Sequence, residues 1–287
     1  HSPDKTTMNN FFELCLAAIL EKNIPQKCQL ARNLQHKFSL SDKLTLVATA
    51  EKISIPQPGK PDKPQLVAPF EVPKRKLGTQ EGLACLIHAL AHIEFNAINL
   101  ALDACYRFQN MPAQFYADWL EVAVDEVYHF ELLNEHLAKL GYSYGDFAAH
   151  NGLWDMALKT EHDVIARMAL VPRVLEARGV DAVPEMQKKL HASKDLRAIQ
   201  ILDIIHQDEI KHVSYGDKWF KHSCKLKNLD ATQTFFNLFE QYKAPKIRGP
   251  FNRLDRKKAG FSDIELDHLI YISESYHEKN SCQFNPD

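Results

Sequence analysis

The chain has 287 residues, 45% hydrophobic and 25% charged, with a formal net charge of −2. This is an ordinary globular balance with enough residues for a large core, and the net charge points neither toward nor away from a nucleic-acid partner. Six scattered cysteines, Cys15, Cys28, Cys85, Cys105, Cys224 and Cys282, lack C-x-x-C spacing. They read as reduced packing residues of a cytoplasmic protein and exclude a disulfide frame or zinc knot. No apolar run reaches the ~18 residues of a membrane span, and no signal peptide is visible. Because the chain begins at His1, residues ahead of Met8 read as a cloning remnant.

In chain order, residues 9 to 22 and 25 to 37 carry apolar positions at helical period, with Phe12, Leu16 and Leu20, then Leu30 and Leu34. They predict a helical pair, an N-terminal extension over 1–54. A linker over 55–77 follows. Pro56, Pro58, Pro61, Pro64, Pro69 and Pro73 remove donors and fix φ, so it should be extended and lie on the surface. A four-helix bundle is predicted over 78–228, its first helix spanning roughly 79 to 108 and its second roughly 112 to 140, with a turn at Gln109-Asn110-Met111-Pro112. Gly141-Tyr142-Ser143-Tyr144-Gly145 ends the second helix. About a dozen residues then connect to Trp154, enough at ~3.3 Å each for the long crossover of ferritin-like folds. The third helix is placed from Glu161-His162 onward and the fourth beyond Ala192-Ser193-Lys194-Asp195, a turn followed by an N-cap. A C-terminal extension over 229–287 holds a basic loop from Lys243 to Lys258 and a short helix over 262 to 273.

One string occurs twice, as Asp125-Glu126-Val127-Tyr128-His129 and Asp208-Glu209-Ile210-Lys211-His212. Residues three apart share a helix face, so each copy aims a carboxylate and an imidazole at one point. Both sit in apolar stripes. The first contains Trp119, Val122, Phe130, Leu133, Leu137 and Leu140, the second Ile201, Leu202, Ile205, Val213 and Phe220. A buried carboxylate needs a cation or a hydrogen-bond network, and two such pairs with one further Glu from each of two helices make a di-iron or di-manganese ligand set. Residue 110 is midway between Glu94 and Glu126, so Glu94 stands level with Glu126 across the first hairpin. Its own face carries Ile87, Ala91, Ile98 and Ala101. Glu176, on a face with Ile165, Ala169 and Pro172, is the partner for Glu209. This requires the third helix to break just beyond Glu176, at Gly179 to Pro184; if the chain turns there instead, Glu161 or Glu185 competes for its place.

Glu94, Glu126, His129, Glu176, Glu209 and His212 are thus the candidate metal ligands, with a charge of −4 that two divalent cations offset. Oxygen-rich ligation with imidazole suits Fe first and Mn second, and not tetrahedral Zn. Asp125 and Asp208 are candidates for accepting the outer N–H of a ligand histidine. His92 lies ~200° around the helix from Glu94, and His162 lies ~21 Å along the axis from Glu176, so these two and His88 read as packing residues. Arg173 either neutralises a site carboxylate or faces water.

The paired D-E-x-x-H resembles the ferritin-like di-iron carboxylate superfamily. More narrowly, His88-Ala89-Leu90-Ala91-His92-Ile93-Glu94, Tyr144-Gly145-Asp146-Phe147-Ala148-Ala149-His150, the stretch from Ala169 to Gly179 and Ile247-Arg248-Gly249-Pro250-Phe251-Asn252 are similar to the bacterial ferritin-like family called domain of unknown function four-five-five. The resemblance implies an all-α fold, a ferritin-like four-helix bundle with extra N-terminal and C-terminal helical segments, and a metal site. The chemistry suggests a di-iron oxidoreductase that uses O2 to oxidise or hydroxylate a small organic substrate. A tRNA substrate is favoured only by the basic loop, where Lys243, Lys246, Arg248, Arg253, Arg256, Lys257 and Lys258 face the single acid Asp255. Iron handling is the alternative, although about 75 residues before the bundle and 60 after it do not suit a storage shell. A non-enzymatic metal-bound scaffold shares the same ligands. A homodimer is compatible with these residues, and no membrane partner is expected.

Overall fold

The computed structural model describes residues 10–40, 45–49, 51–72, 76–244 and 247–281, with side chains through residue 275. Residues 1–9, Pro73, Lys246 and Cys282 lie outside this set. The architecture is all-helical. Among the described residues the extended pairings are two isolated parallel bridges, Asn10 with Thr45 and Leu66 with Ala149. The chain forms two compact units: one takes residues up to 162 with 189–204, the other 163–188 with 205 onward.

The first unit opens with α1 (Phe11–Leu20) and α2 (Ile24–Ser39), whose first turns are capped by the side chains of Asn10 and Asn23. Lys27 of α2 is buried and donates to the carbonyls of Ala18 and Ile19 at 3.0 and 2.6 Å and to Asn99 Oδ1 at 2.6 Å. The ammonium thereby satisfies carbonyls that the end of α1 leaves without partners, although burial pulls its pKa down to about 7.

Helix α3 (Gln80–Arg107) is capped by Thr79, and α4 (Ala113–Lys139) follows Pro112. The turn between them closes where Tyr116 donates its hydroxyl to the Phe108 carbonyl at 2.7 Å. By length and composition α3 is apolar enough to cross a membrane, but 72% of that stretch is buried within the fold. It is apolar nearly all round because it is the central core helix of its unit. Among the described residues of the proline-rich segment after α2, the one helical piece is a 3-10 turn, Pro69–Glu71. It is not wholly surface-lying as expected: Ile55, Pro58, Gly59 and Pro64 are buried, and Trp154 of α5 (Gly152–Lys159) donates to the Ile55 carbonyl at 2.8 Å. The core indole holds the Ile55 carbonyl, and the Gly59 N–H donates to the Ile19 carbonyl at 2.8 Å, so two backbone ties draw this part of the segment inward.

In the second unit the third helix begins later than expected. Glu161 and His162 lie in a turn, and Asp163 caps α6 (Val164–Leu170) by accepting from the Ile165 N–H at 3.0 Å. The expected break at 179–184 is absent. Helix α7 (Ala177–Ala192) runs through Gly179 and carries Pro184 inside it. The irregularity lies before Glu176, as a π-helical turn over Val171–Glu176 with Pro172 at its second position. Pro172 has no N–H to donate, and the wider turn accommodates that gap without ending the helix.

Helix α8 (Leu196–Leu226) starts after a turn at Lys194 with φ 57°, where the Asp195 carboxylate accepts from the Ala198 N–H at 3.0 Å. Helices α9 (Ala231–Gln241), α10 (Arg253–Lys258) and α11 (Asp263–Ser281) complete the unit. The expected basic loop therefore contains a helix, started by the Asn252 side chain accepting from the Asp255 N–H, and the terminal helix is longer than 262 to 273.

Arg173, in the π-turn, neither neutralises a candidate ligand nor faces water. It is 1% exposed and ion-paired with Asp217 at 3.2 Å and Glu265 at 2.5 Å. Its guanidinium lies over the rings of Phe220, Phe235 and Phe261 at 5.3, 4.3 and 4.6 Å. Burial raises the Asp217 pKa, opposed by Arg173 and Lys221. Removing the arginine leaves two buried acids without their cation, so Arg173→Ala should cost about 3–5 kcal/mol in urea denaturation. Arg173→Lys should recover only part of that, because an ammonium lacks the planar fork that meets two carboxylates.

His88 and His92 of α3 are the packing residues expected. His88 Nε2 accepts from the Gly145 N–H at 2.9 Å. His92 donates at Nε2 to the His150 carbonyl at 2.9 Å and accepts at Nδ1 from the Tyr144 hydroxyl at 2.8 Å. Burial pushes both pKa values down to about 4. Below the unfolded value of ~6.5 the unfolded chain binds protons that the folded chain excludes, so stability falls as pH drops from ~6.5 toward 4. Between pH 7 and 5 each histidine should account for roughly 2 kcal/mol. Chemical denaturation at the two pH values should show a smaller loss in His88→Gln than in wild type.

Candidate metal centre

In the first unit the hairpin of α3 and α4 brings Glu94, Glu126 and His129 together, each contributing a donor atom within 4.8 Å of the others. His129 Nδ1 is 3.4 Å from Glu94 Oε2 and 3.3 Å from Glu126 Oε2, with the histidine 0%, Glu94 5% and Glu126 2% exposed. Helical spacing explains the pair on α4, because residues 126 and 129 share a face, and the turn at 108–112 brings Glu94 to the same height. The surrounding stripe is buried as expected, with Trp119, Val122, Phe130, Leu133 and Leu137 on α4 and Ile87, Ala91, Ile98 and Ala101 on α3. A protonated imidazole offsets one of the two carboxylate charges, whereas a divalent cation offsets both. Three donors on this span suit one ion with bonds of ~2.1 Å.

In the second unit Glu209 and His212 of α8 form the corresponding pair, with His212 Nδ1 3.9 Å from Glu209 Oε2 and the imidazole buried. Two glycines reveal how α8 meets the helix carrying Glu176. A Cβ on Gly216 would lie 2.2 Å from Pro172 Cβ, and one on Gly179 would lie 3.8 Å from Glu209 Cγ. Both pairs are symmetric about residue 194, the left-handed turn residue. The same symmetry sets Glu176 level with His212, with Glu209 one turn along. Glu176 ends the π-turn, is half-buried and has its Oε2 buried. The competing acids are engaged elsewhere: Ser54 donates to Glu161 at 2.9 Å, and Lys188 pairs with Glu185 at 3.2 Å.

Asp125 and Asp208 are half-buried beside their glutamates, and Asp208 pairs with Lys211 at 3.8 Å. In the basic segment Arg253 pairs with Asp263 and Asp267, Arg256 with Asp181, Lys257 with Asp263 and Lys258 with Asp255. Much of its charge is thus spent within the unit. Sequence reasoning overlooked Gly216 and Lys27. A glycine inside a long helix is a recognisable signal of close packing, but a lysine near a helix start carries no mark of burial.

These features define an all-helical protein with buried Glu and His groups that could hold a metal ion. Residues 20–267 match the family described as Protein of unknown function (DUF455), and the chain belongs to that family. An uncharacterized protein of Haemophilus influenzae is 44% identical over 278 residues, covering 93% of this chain and 96% of that protein. No solved structure matches the chain.

Because the Pro172 ring occupies the space above Gly216, even one added methyl must push the π-turn off α8. Gly216→Ala should destabilise the protein by about 1–3 kcal/mol, read as a lower Tm in a thermal melt; an unchanged Tm would show that the contact is not tight.

Proposed function

We propose that this chain is a ferritin-like di-metal carboxylate protein, with its bundle over 78–228, that carries out O2-dependent oxidation or hydroxylation of an organic substrate. The observation that carries the reading is the convergence of Glu94, Glu126 and His129 in a fully buried setting. The repeat of the same D-E-x-x-H string at Glu209 and His212, with Glu176 level with His212, supports a second metal position.

In this reading Glu94, Glu126, His129, Glu176, Glu209 and His212 hold two ions, iron in preference to manganese. Bound there, the metal pair would supply the one- and two-electron chemistry with O2 that amino-acid side chains lack. The protein's own part is positional. Carboxylates bind through one oxygen or both, so Glu94 and Glu126 can alter their mode without moving the helices. His129 and His212 would supply neutral donors, and Asp125 and Asp208 would accept the outer N–H of a ligand histidine. The apolar faces of α3 and α4 keep bulk water from the buried donors. The five cysteines among the described residues are free thiols, in keeping with a reducing, cytoplasmic setting.

Elemental analysis of protein purified from its native host tests this directly. The expected result is about two iron or manganese ions per chain, reduced to one or fewer in Glu126→Ala with the helical circular dichroism retained. Folded wild-type protein without metal, or equal metal in wild type and Glu126→Ala, would overturn the proposal.

A further inference from the structure

Within the second unit, one cavity of about 340 Å³ is lined by α7 and by the segment that precedes and begins α10. Its walls carry Arg178, Asp181, Glu185, Arg248 and Arg256, together with the apolar surface of Ile247, Pro250 and Phe251. The lining residues of α7 lie ~140–240° around the helix from Glu176. They face away from the side that Glu176 and Gly179 share, so this cavity is separate from the candidate metal ligands.

The ion pairs show which of these charges are available. Asp181 is fully engaged: its Oδ1 accepts from the Asn252 N–H at 2.8 Å and from Arg256 Nε at 2.9 Å, and its Oδ2 from Arg256 Nη2 at 2.7 Å. Arg256 is buried, spent on that carboxylate, and lies 5.3 Å over the Phe251 ring. Glu185 pairs with Lys188. Arg178 and Arg248 have no carboxylate partner among the described residues; Arg178 makes only a long contact of 3.5 Å to the Leu175 carbonyl. The buried Asp181–Arg256 pair therefore fixes the loop against α7 and holds Phe251 and Pro250 as a rigid wall. Two guanidinium groups at its mouth remain open to a ligand.

We infer that this cavity binds a small organic anion, its carboxylate or phosphate recognised by Arg178 and Arg248 and its apolar body resting on Pro250 and Phe251. Guanidinium groups match both anions in geometry and charge. The volume lies at the small end of ligand-sized cavities, which suits a body of about one ring.

The test is calorimetric titration of the full chain with phenyl phosphate, benzoate and inorganic phosphate as separate probes. Saturable binding of phenyl phosphate or benzoate is expected, and the tighter of the two identifies the preferred headgroup. Affinity should fall at least tenfold in Arg178→Gln and in Arg248→Gln, and remain within twofold of wild type in Lys257→Gln, whose cation pairs with Asp263 outside the cavity. The inference is overturned if neither aromatic probe saturates, if both arginine variants bind as wild type does, or if Lys257→Gln loses as much. Inorganic phosphate binding as tightly as phenyl phosphate would remove the apolar subsite and overturn it equally. Metal analysis of the same samples keeps the two readings apart, because metal-free protein that still binds the probes defeats the metal proposal and leaves this one standing.

Discussion

Two glutamates placed beside one imidazole, where solvent does not reach, impose the strongest constraint on this molecule. Glu94 and Glu126 each meet His129 Nδ1 inside the hairpin of α3 and α4. Carboxylates held out of water cost several kcal/mol unless a cation or a set of donors answers them. The apolar surroundings that make these charges costly also pack against the three side chains and keep solvent from them. Helix α3 is accordingly almost wholly buried, and a length of chain that could have crossed a membrane is instead the core of its unit.

The second unit solves a related problem by different means. Arg173 is as deeply buried as His129, but its charge is answered on the spot by Asp217 and Glu265, with three phenyl rings filling the remaining space. The π-turn that carries Arg173 also ends in Glu176. An extra residue in one turn rotates whatever follows it, so the same backbone irregularity that points the arginine into the aromatic cluster sets the direction of the glutamate. Gly216 belongs to this arrangement, since only a residue without Cβ lets α8 approach the Pro172 ring.

Much of the helical layout was legible because capping and turn chemistry are local. Thr79, Pro112 and Asp195 mark helix starts by mechanisms that depend on a few neighbouring atoms, and the observed ends of α3 and α4 fall within about two residues of those expected. The candidate triad was legible for a similar reason: three-residue spacing and equal distance from a turn are arithmetic on one hairpin. The region from 161 to 192 was not. Gly179 and Pro184 ordinarily interrupt helices, yet the helix runs through both, with Gly179 packed against Glu209 of α8, while the real departure came at Pro172. The inward dips of the proline-rich segment were not legible because the tie of Ile55 to Trp154 joins residues far apart in sequence.

The amino-acid sequence by itself determined the helical class, the family, the bounds of the long helices α3 and α4 and the buried faces that carry Glu94, Glu126, His129 and His212, since periodicity and capping act over one or two turns. Only the tertiary structure decided which charges are already answered. Arg173, Arg256 and Lys27 look alike in sequence to Arg178 and Arg248. Whether a cation finds a carboxylate, a carbonyl or open space depends on residues tens of positions away, and that partnership exists only once the chain has folded.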